Sequence, residues 1–374
     1  MTFINLYQLP GQNIAQKPKK MELLETLRGI AALLIVAFHA TGLFKLKFDQ
    51  AFLLSLWGFG DSGVDFFFVL SGFLLTLTSF KNIGVKSETR HFLLKRFIRI
   101  YPFYWLINFF IIPIYFLMPS FGKGHERNIG SIVKSLLLLP QENSPVLVVA
   151  WFLSHIVFFY LMFAVLMVAK PKISFPVIFS WLALSVVFIL VDFKSGFTYF
   201  EECHFLVKFL LSYHNLEFAL GCLVGIWFQK AEVNTEVSLL MLLIGVLSFL
   251  SLGLAEVFIF QESLKDFQYY DCLAYGVPSI FIVGGAAYLE ANRSIKVNSF
   301  FLTLGAASFS IYLTHYPFLS IFIKVVQASG IRNPAFLTLA MLFACGVTVL
   351  LGCLIHLYVE KRLVSILRNK WVPN

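Results

Sequence analysis

The chain predicts an all-α fold, a polytopic membrane helix bundle of about ten transmembrane helices, on three observations. Hydrophobic residues fill 59% of its 374 positions and charged residues 13%, with a mean hydropathy of +0.82, far from a water-soluble domain. The apolar residues gather in runs long enough to cross a hydrocarbon core, which takes roughly 20 residues per helix. Lys and Arg also segregate between alternate connecting segments, nineteen on one side against eight on the other. That is the positive-inside pattern, and it predicts both termini in the cytoplasm.

The net charge of +9 therefore reports topology before any anionic partner. The bilayer is the expected partner, and nothing else in the chain favours nucleic acid. Apolar spans are expected near 27–44, 64–80, 101–118, 147–169, 175–192, 206–228, 237–255, 272–290, 300–326 and 335–358. Residues 1–21 read as a cytoplasmic N-terminal tail with no removable signal peptide, 22–364 as one transmembrane domain, and 365–374 as a cytoplasmic C-terminal tail. The stretch Pro119 to Pro145 is expected as the longest outer loop. Glu256 to Asp271, with Tyr269 and Tyr270, reads as a solvated loop or an approach for a sugar. Cysteines 203, 222, 272, 345 and 353 lack metal-type spacing, so no metal is expected, although Cys203 and Cys272 could meet near the outer face. No internal repeat is found, which argues against repeat-built transporters.

The first helix carries the clearest chemistry. Arg28 and His39 are eleven residues apart, which returns nearly to the same helical face roughly 16 Å further on. An ionisable side chain in hydrocarbon costs at least ~2.5 kcal/mol, so such residues face a bundle interior or a wet cavity. The pair is expected to line a polar passage, with His39 as a base at neutral pH. The competing role for a lone membrane histidine is hydrogen-bonded packing. In the second helix, Asp65 enters from the outer side and could fix the His39 tautomer or cap the helix. Next, Lys95, Arg96 and Arg99 form a basic cluster at the cytoplasmic mouth, suited to a diphosphate or to anionic lipid headgroups.

Four motifs then occur in order: Leu27-Arg28-Gly29-Ile30-Ala31-Ala32 with His39 beyond it; Gly63-Val64-Asp65-Phe66-Phe67-Phe68; Arg96-Phe97-Ile98-Arg99-Ile100-Tyr101-Pro102; and Ser308-Phe309-Ser310-Ile311-Tyr312-Leu313-Thr314-His315. Together they closely resemble acyltransferase family 3, the integral-membrane O-acyltransferases of bacterial surface glycans, over about residues 22–364. The resemblance implies a multi-pass protein of the bacterial cytoplasmic (inner) membrane. It implies acetyl-CoA or another acyl-CoA as donor, with no metal, and a hydroxyl of a saccharide or lipid-linked glycan (O-antigen, exopolysaccharide or similar) as acceptor. It implies His39 and Asp65 as catalytic, Arg28, Arg96 and Arg99 as donor-binding, and Trp151, Tyr312 and His315 as acceptor-binding residues. Tyr358-Val359-Glu360-Lys361 resembles the closing helix of the family.

One departure stands out. The family pattern Trp-x-Leu-Ser-x-Glu is matched by Trp151-Phe152-Leu153-Ser154-His155-Ile156, with isoleucine where the glutamate belongs. Isoleucine accepts no proton and holds no hydroxyl, so His155 or Glu217 would have to compensate. Two rival readings follow from the residues: a glycan or metabolite transporter or exporter, and a catalytically silent glycan-binding relative.

Overall fold

In hydrocarbon no water is available to the backbone, so a spanning chain must satisfy its own amides, and an apolar chain with no strand pattern does so as helices. The computed structural model describes residues 21–49, 56–194, 202–260 and 268–372. Among these there are helices and no strands. In chain order they are α1 (Glu22–Phe48), α2 (Gly63–Ser79), α3 (Thr89–Leu117), α4 (Ile129–Leu136), α5 (Trp151–Val168), α6 (Pro171–Lys194) and α7 (Phe205–Leu210). Then come α8 (His214–Lys230), α9 (Thr235–Ala255), α10 (Gln268–Asn292), α11 (Ser299–Ala328), α12 (Pro334–Ile355) and α13 (Lys361–Trp371). Nine segments among the described residues are long and apolar enough to cross a membrane. The 25-residue α10 stands beside them as the remaining expected span.

Small residues set the packing, as expected where lipid tails are as apolar as leucine and helices associate by close contact. At the crossing of α1 and α11, a Cβ on Gly29 would lie 2.9 Å from the Gly305 nitrogen, and one on Gly305 would collide with the Glu25 carbonyl. The two helices run parallel, because His39 meets His315 at the same offset that pairs Gly29 with Gly305. A second parallel pair, α2 with α8, closes through Gly72 on Phe218, Gly221 on Val69 and Gly225 on Thr76. Between α1 and α2 the direction reverses: Gly60 approaches Leu34 and Gly63 approaches Ala31. The inner α2 segment is 67% buried and the outer α6 segment 11%, so α6 presents its apolar side chains to lipid.

The N-terminus of α1 has no side-chain cap from Met21. Glu290 of α10 substitutes, accepting from the Leu23 amide at 2.7 Å and the Leu24 amide at 3.4 Å. A carboxylate there also complements the positive helix end. We call the two faces of the bundle the Arg28 end and the His39 end.

Several expectations change. The third helix starts at Thr89 rather than near 101, so Arg96 and Arg99 project from a helix, not a loop; Pro102 sits inside it. The last helix continues through a π turn at His356–Glu360 into α13, so residues 365–371 are helical, and Trp371 stacks on Phe97 at the Arg28 end. The Pro119–Pro145 stretch does not stay outside the bundle. Its Leu136–Leu139 run is apolar but too short to span, and α4 folds back along α3, where Tyr104 and Trp105 donate to the Ser135 and Leu136 carbonyls at 2.8 Å. Cys203 is unbridged. The side chain of Cys272, the tail 1–20, residues 261–267, and the side chains of Tyr269, Tyr270 and Asp271 lie outside the described residues.

Substituting Gly305→Val should force α1 and α11 apart at a cost of about 1–3 kcal/mol. Gly346→Ala, where nothing lies within 4 Å of the new Cβ, should leave stability unchanged or improved. Thermal denaturation of the two variants in detergent measures the contrast, and equal midpoints would dismiss the crossing as a packing constraint.

Candidate functional site

The parallel α1–α11 pair builds a polar seam through an otherwise apolar bundle. Arg28, 22% exposed, pairs with Glu25 at 3.3 Å and donates from Nη2 to Ser308 at 3.3 Å. With two N–H groups so engaged among the described residues, the guanidinium fork retains donors for an anion. Further along, the half-buried His39 ring lies 5.1 Å from the His315 ring and 5.3 Å from Tyr316, centroid to centroid. His315 is buried, and its Nδ1 lies 2.7 Å from the Tyr312 carbonyl. A carbonyl only accepts, so Nδ1 carries the proton and Nε2 is left as a buried acceptor. Ser308, Ser310, Thr314 and His315, all buried on α11, continue the polar line between the two ends.

At the Arg28 end the π turn does specific work. A π turn widens the helix locally and re-aims side chains, a feature frequent at functional sites. His356 and Glu360 bound this turn: Glu360 pairs with Arg99 at 2.5 Å and accepts from Ser310 at 2.7 Å and His356 at 2.7 Å. Arg28 lies within electrostatic reach of both Arg99 and Glu360. Beside this network opens a cavity of about 630 Å³ lined by Arg99, His356, Glu360, Lys361, Arg368 and Asn369, among others; Arg28 and His39 are not among its lining residues. Arg99, Lys361 and Arg368 give this concavity a net positive lining, with Glu360 the acid among its lining residues.

Arg96 is not part of that cavity. It donates to Thr78 at 2.9 Å and Ser79 at 3.3 Å, and stacks over Phe92 and Tyr160 at 5.2 Å. Arg96 and Arg99 share one side of α3 but take different partners, Arg96 the α2 hydroxyls and the Phe92 and Tyr160 rings, Arg99 the Glu360 carboxylate.

Asp65 does not meet His39. Because α2 runs antiparallel to α1, Asp65 lies nearer the Arg28 end than His39 does, and it faces α8 instead. There Asp65 Oδ1 is 4.0 Å from His214 Nδ1, which is 3.0 Å from Glu217 Oε2, and all three residues are buried. These three offer ligand atoms that all lie within 4.8 Å of one another. Trp151 packs on the same group, 5.1 Å from the His214 ring, and both line a second cavity of about 320 Å³ with His155, Phe209, Tyr213 and the Leu139–Pro145 stretch. Tyr312 commits its hydroxyl to the Val149 carbonyl at 2.6 Å and, with Phe67, Phe68 and Phe152, forms the aromatic layer between the His39 and His214 centres. Ile156 is buried in the core.

Sequence reasoning passes over His214, reads His356 as a membrane-span histidine in structural hydrogen bonding, and places Glu360 in the closing helix. The signal existed: His214 and Glu217 are spaced i,i+3, His356 and Glu360 i,i+4, each on one helical face in an apolar setting. Only the fold shows which partner each pair meets.

A helical bundle of this depth, with a cationic cavity at one end and a histidine pair on a guanidinium-lined seam, is a membrane protein organised for chemistry rather than a passive anchor. Residues 22–357 match the profile of acyltransferase family 3, described as an acyltransferase domain, and the chain belongs to this family. It is similar, at 28% identity over 324 residues, to the exopolysaccharide production protein ExoZ of Rhizobium meliloti (strain 1021), covering 82% of this chain and 90% of that one. A shorter match, 39% identical over 90 residues, is to protein 2 in the picA locus of Rhizobium radiobacter, covering 24% of this chain and 42% of that one. No solved structure matches the chain.

The Arg99–Glu360 contact should behave as a coupled pair. Combining Arg99→Ala with Glu360→Gln is expected to cost less than the sum of the single changes by about 1 kcal/mol, because solvent screens the half-exposed guanidinium. Strict additivity in unfolding measurements would separate the two residues.

Proposed function

We propose that the protein is an O-acyltransferase of the bacterial inner membrane, taking an acyl group, acetyl in the simplest case, from acyl-CoA in the cytoplasm. In this reading it delivers the group to a saccharide hydroxyl on the outer side. The observation that carries the reading is the seam running from the guanidinium groups at one end to the His39–His315 pair. The positive-inside bias supports a cytoplasmic Arg28 end, and the ExoZ relative, by its printed name, supports a polysaccharide acceptor.

Arg99, Lys361 and Arg368 surround a concavity suited to the phosphates of coenzyme A, with Arg28 one layer further in. The pantetheine arm would follow Ser308 and Ser310 toward His39. There the acceptor oxygen attacks the thioester carbonyl while His39 takes the hydroxyl proton. The C–S bond then breaks, the thiolate leaves, and the imidazolium returns the proton to it. His315 packs against the His39 ring and restricts its orientation. Arg96 supports the α2–α3–α5 wall and acts as a positioning residue. Asp65 acts through His214 rather than through His39. Trp151 offers a flat apolar face to the acceptor chain away from the reacting hydroxyl. With Ile156 apolar, Glu217 supplies a carboxylate beside His214.

His39→Ala should abolish acceptor-dependent release of free coenzyme A by the purified protein while leaving its accumulation in the membrane unchanged; wild-type release from that variant would remove the base. Arg28→Lys should weaken acyl-CoA binding by about 10-fold or more, since a point charge cannot reproduce a planar, forked donor. An unaltered KM for acyl-CoA would take Arg28 out of the donor path, and coenzyme A that neither binds nor is released by the wild type would favour a carrier.

A further inference from the structure

The Asp65–His214–Glu217 group lies across an aromatic layer from the seam, and the acyl transfer proposed above does not use it as acid, base or donor site. We infer that these three residues bind one divalent cation of the zinc or manganese class, admitted through the cavity beside Trp151. The inference is independent of which donor or acceptor the protein takes.

Three observations point to it. The donor set is one imidazole nitrogen and two carboxylate oxygens, an N/O combination that suits borderline divalent ions. The ligand atoms lie within 4.8 Å of one another, with His214 Nδ1 at 3.0 Å from Glu217 and 4.0 Å from Asp65. Donors on a tetrahedral ion with bonds of about 2.0–2.2 Å sit roughly 3.4 Å apart, so small rotamer changes close the triangle around an ion. Second, His155 lines the same cavity, its ring 5.6 Å from that of His214. Its Nδ1 lies 3.2 Å from the Trp151 carbonyl, and Nε2 is buried with no hydrogen-bond partner among the described residues. A residue 8% exposed with a bare nitrogen lone pair, one ring away from the three ligands, offers a hydrogen-bond acceptor to an ion-bound water.

Third, the scaffold is rigid and the site has an entrance. Gly72, Gly221 and Gly225 lock α2 against α8, which fixes Asp65 relative to His214 and Glu217. The i,i+3 spacing places His214 and Glu217 on one face of α8. His214 itself lines the cavity, whose other side is formed by the infolded Leu139–Pro145 stretch, with Lys208 the cation among its lining residues. Two carboxylates this close repel when both are ionised, and a divalent ion between them converts that repulsion into binding. Binding must displace the proton that His214 Nδ1 shares with Glu217, so metal uptake releases protons to the buffer.

The test uses the full-length, untagged protein in detergent, stripped with EDTA and titrated with Zn²⁺ against a chromophoric chelator, with Co²⁺ absorption as a second readout. One ion per chain is expected for the wild type and for His39→Ala, with a cobalt spectrum of low coordination number. His214→Ala and the isosteric Glu217→Gln should each lose well over about 100-fold in affinity, beyond the roughly 10–100-fold that loss of an outer-shell partner costs. Zinc should raise the Tm of the wild type and not of Glu217→Gln, whose fold is checked by its metal-free Tm. Less than one ion per folded chain, or equal affinity in Glu217→Gln and the wild type, overturns the site and leaves the acyl-transfer reading intact.

Discussion

The close approach of α1 and α11 at Gly29 and Gly305 is the constraint on which the rest of this molecule depends. With a side chain at either glycine the axes would separate, and every pairing along the two helices would lengthen together. Because the helices are parallel and in constant register, one contact near the Arg28 end sets the distance between His39 and His315 more than two turns away. The seam is therefore a consequence of a glycine pair. The same device recurs at α2 and α8, where it sets Asp65 against His214.

These two parallel pairs divide the polar interior into two centres. One couples a cationic mouth to a histidine pair along α11. The other gathers a histidine and two carboxylates below an aromatic cavity. Phe67, Phe68, Phe152 and Tyr312 pack between them as a layer of aromatic rings. A charged group in a membrane interior persists only with partners. Glu360 has Arg99, Ser310 and His356, and the buried end of α1 has Glu290. The network at Glu360 also ties α3, α11 and the closing helix together, so the cationic cavity is held by the ion pair that forms its wall.

Family membership and the exopolysaccharide relative agree with the motif order read along the chain, yet Ile156 remains a departure that the fold partly explains. Its side chain is packed in the core, and the buried carboxylate of Glu217 on a different helix is paired with His214.

Hydropathy and charge segregation determined the helical membrane fold, the span positions and the pairing of Arg28 with His39 on one stripe, because these depend on periodicity within a single helix. Partners across helices were a different matter. The sequence put Asp65 beside His39, put Arg96 beside Arg99 at one mouth, and left residues 119–145 outside. Antiparallel register reversed the first and the infolding of a short apolar run the last, while Arg96 and Arg99 stay close along α3 but are claimed by different helices. His214, Glu217, His356 and Glu360 gained their roles from neighbours tens or hundreds of residues away. Which helix faces which is decided by small-residue contacts summed over the whole bundle, and only the tertiary structure holds that sum.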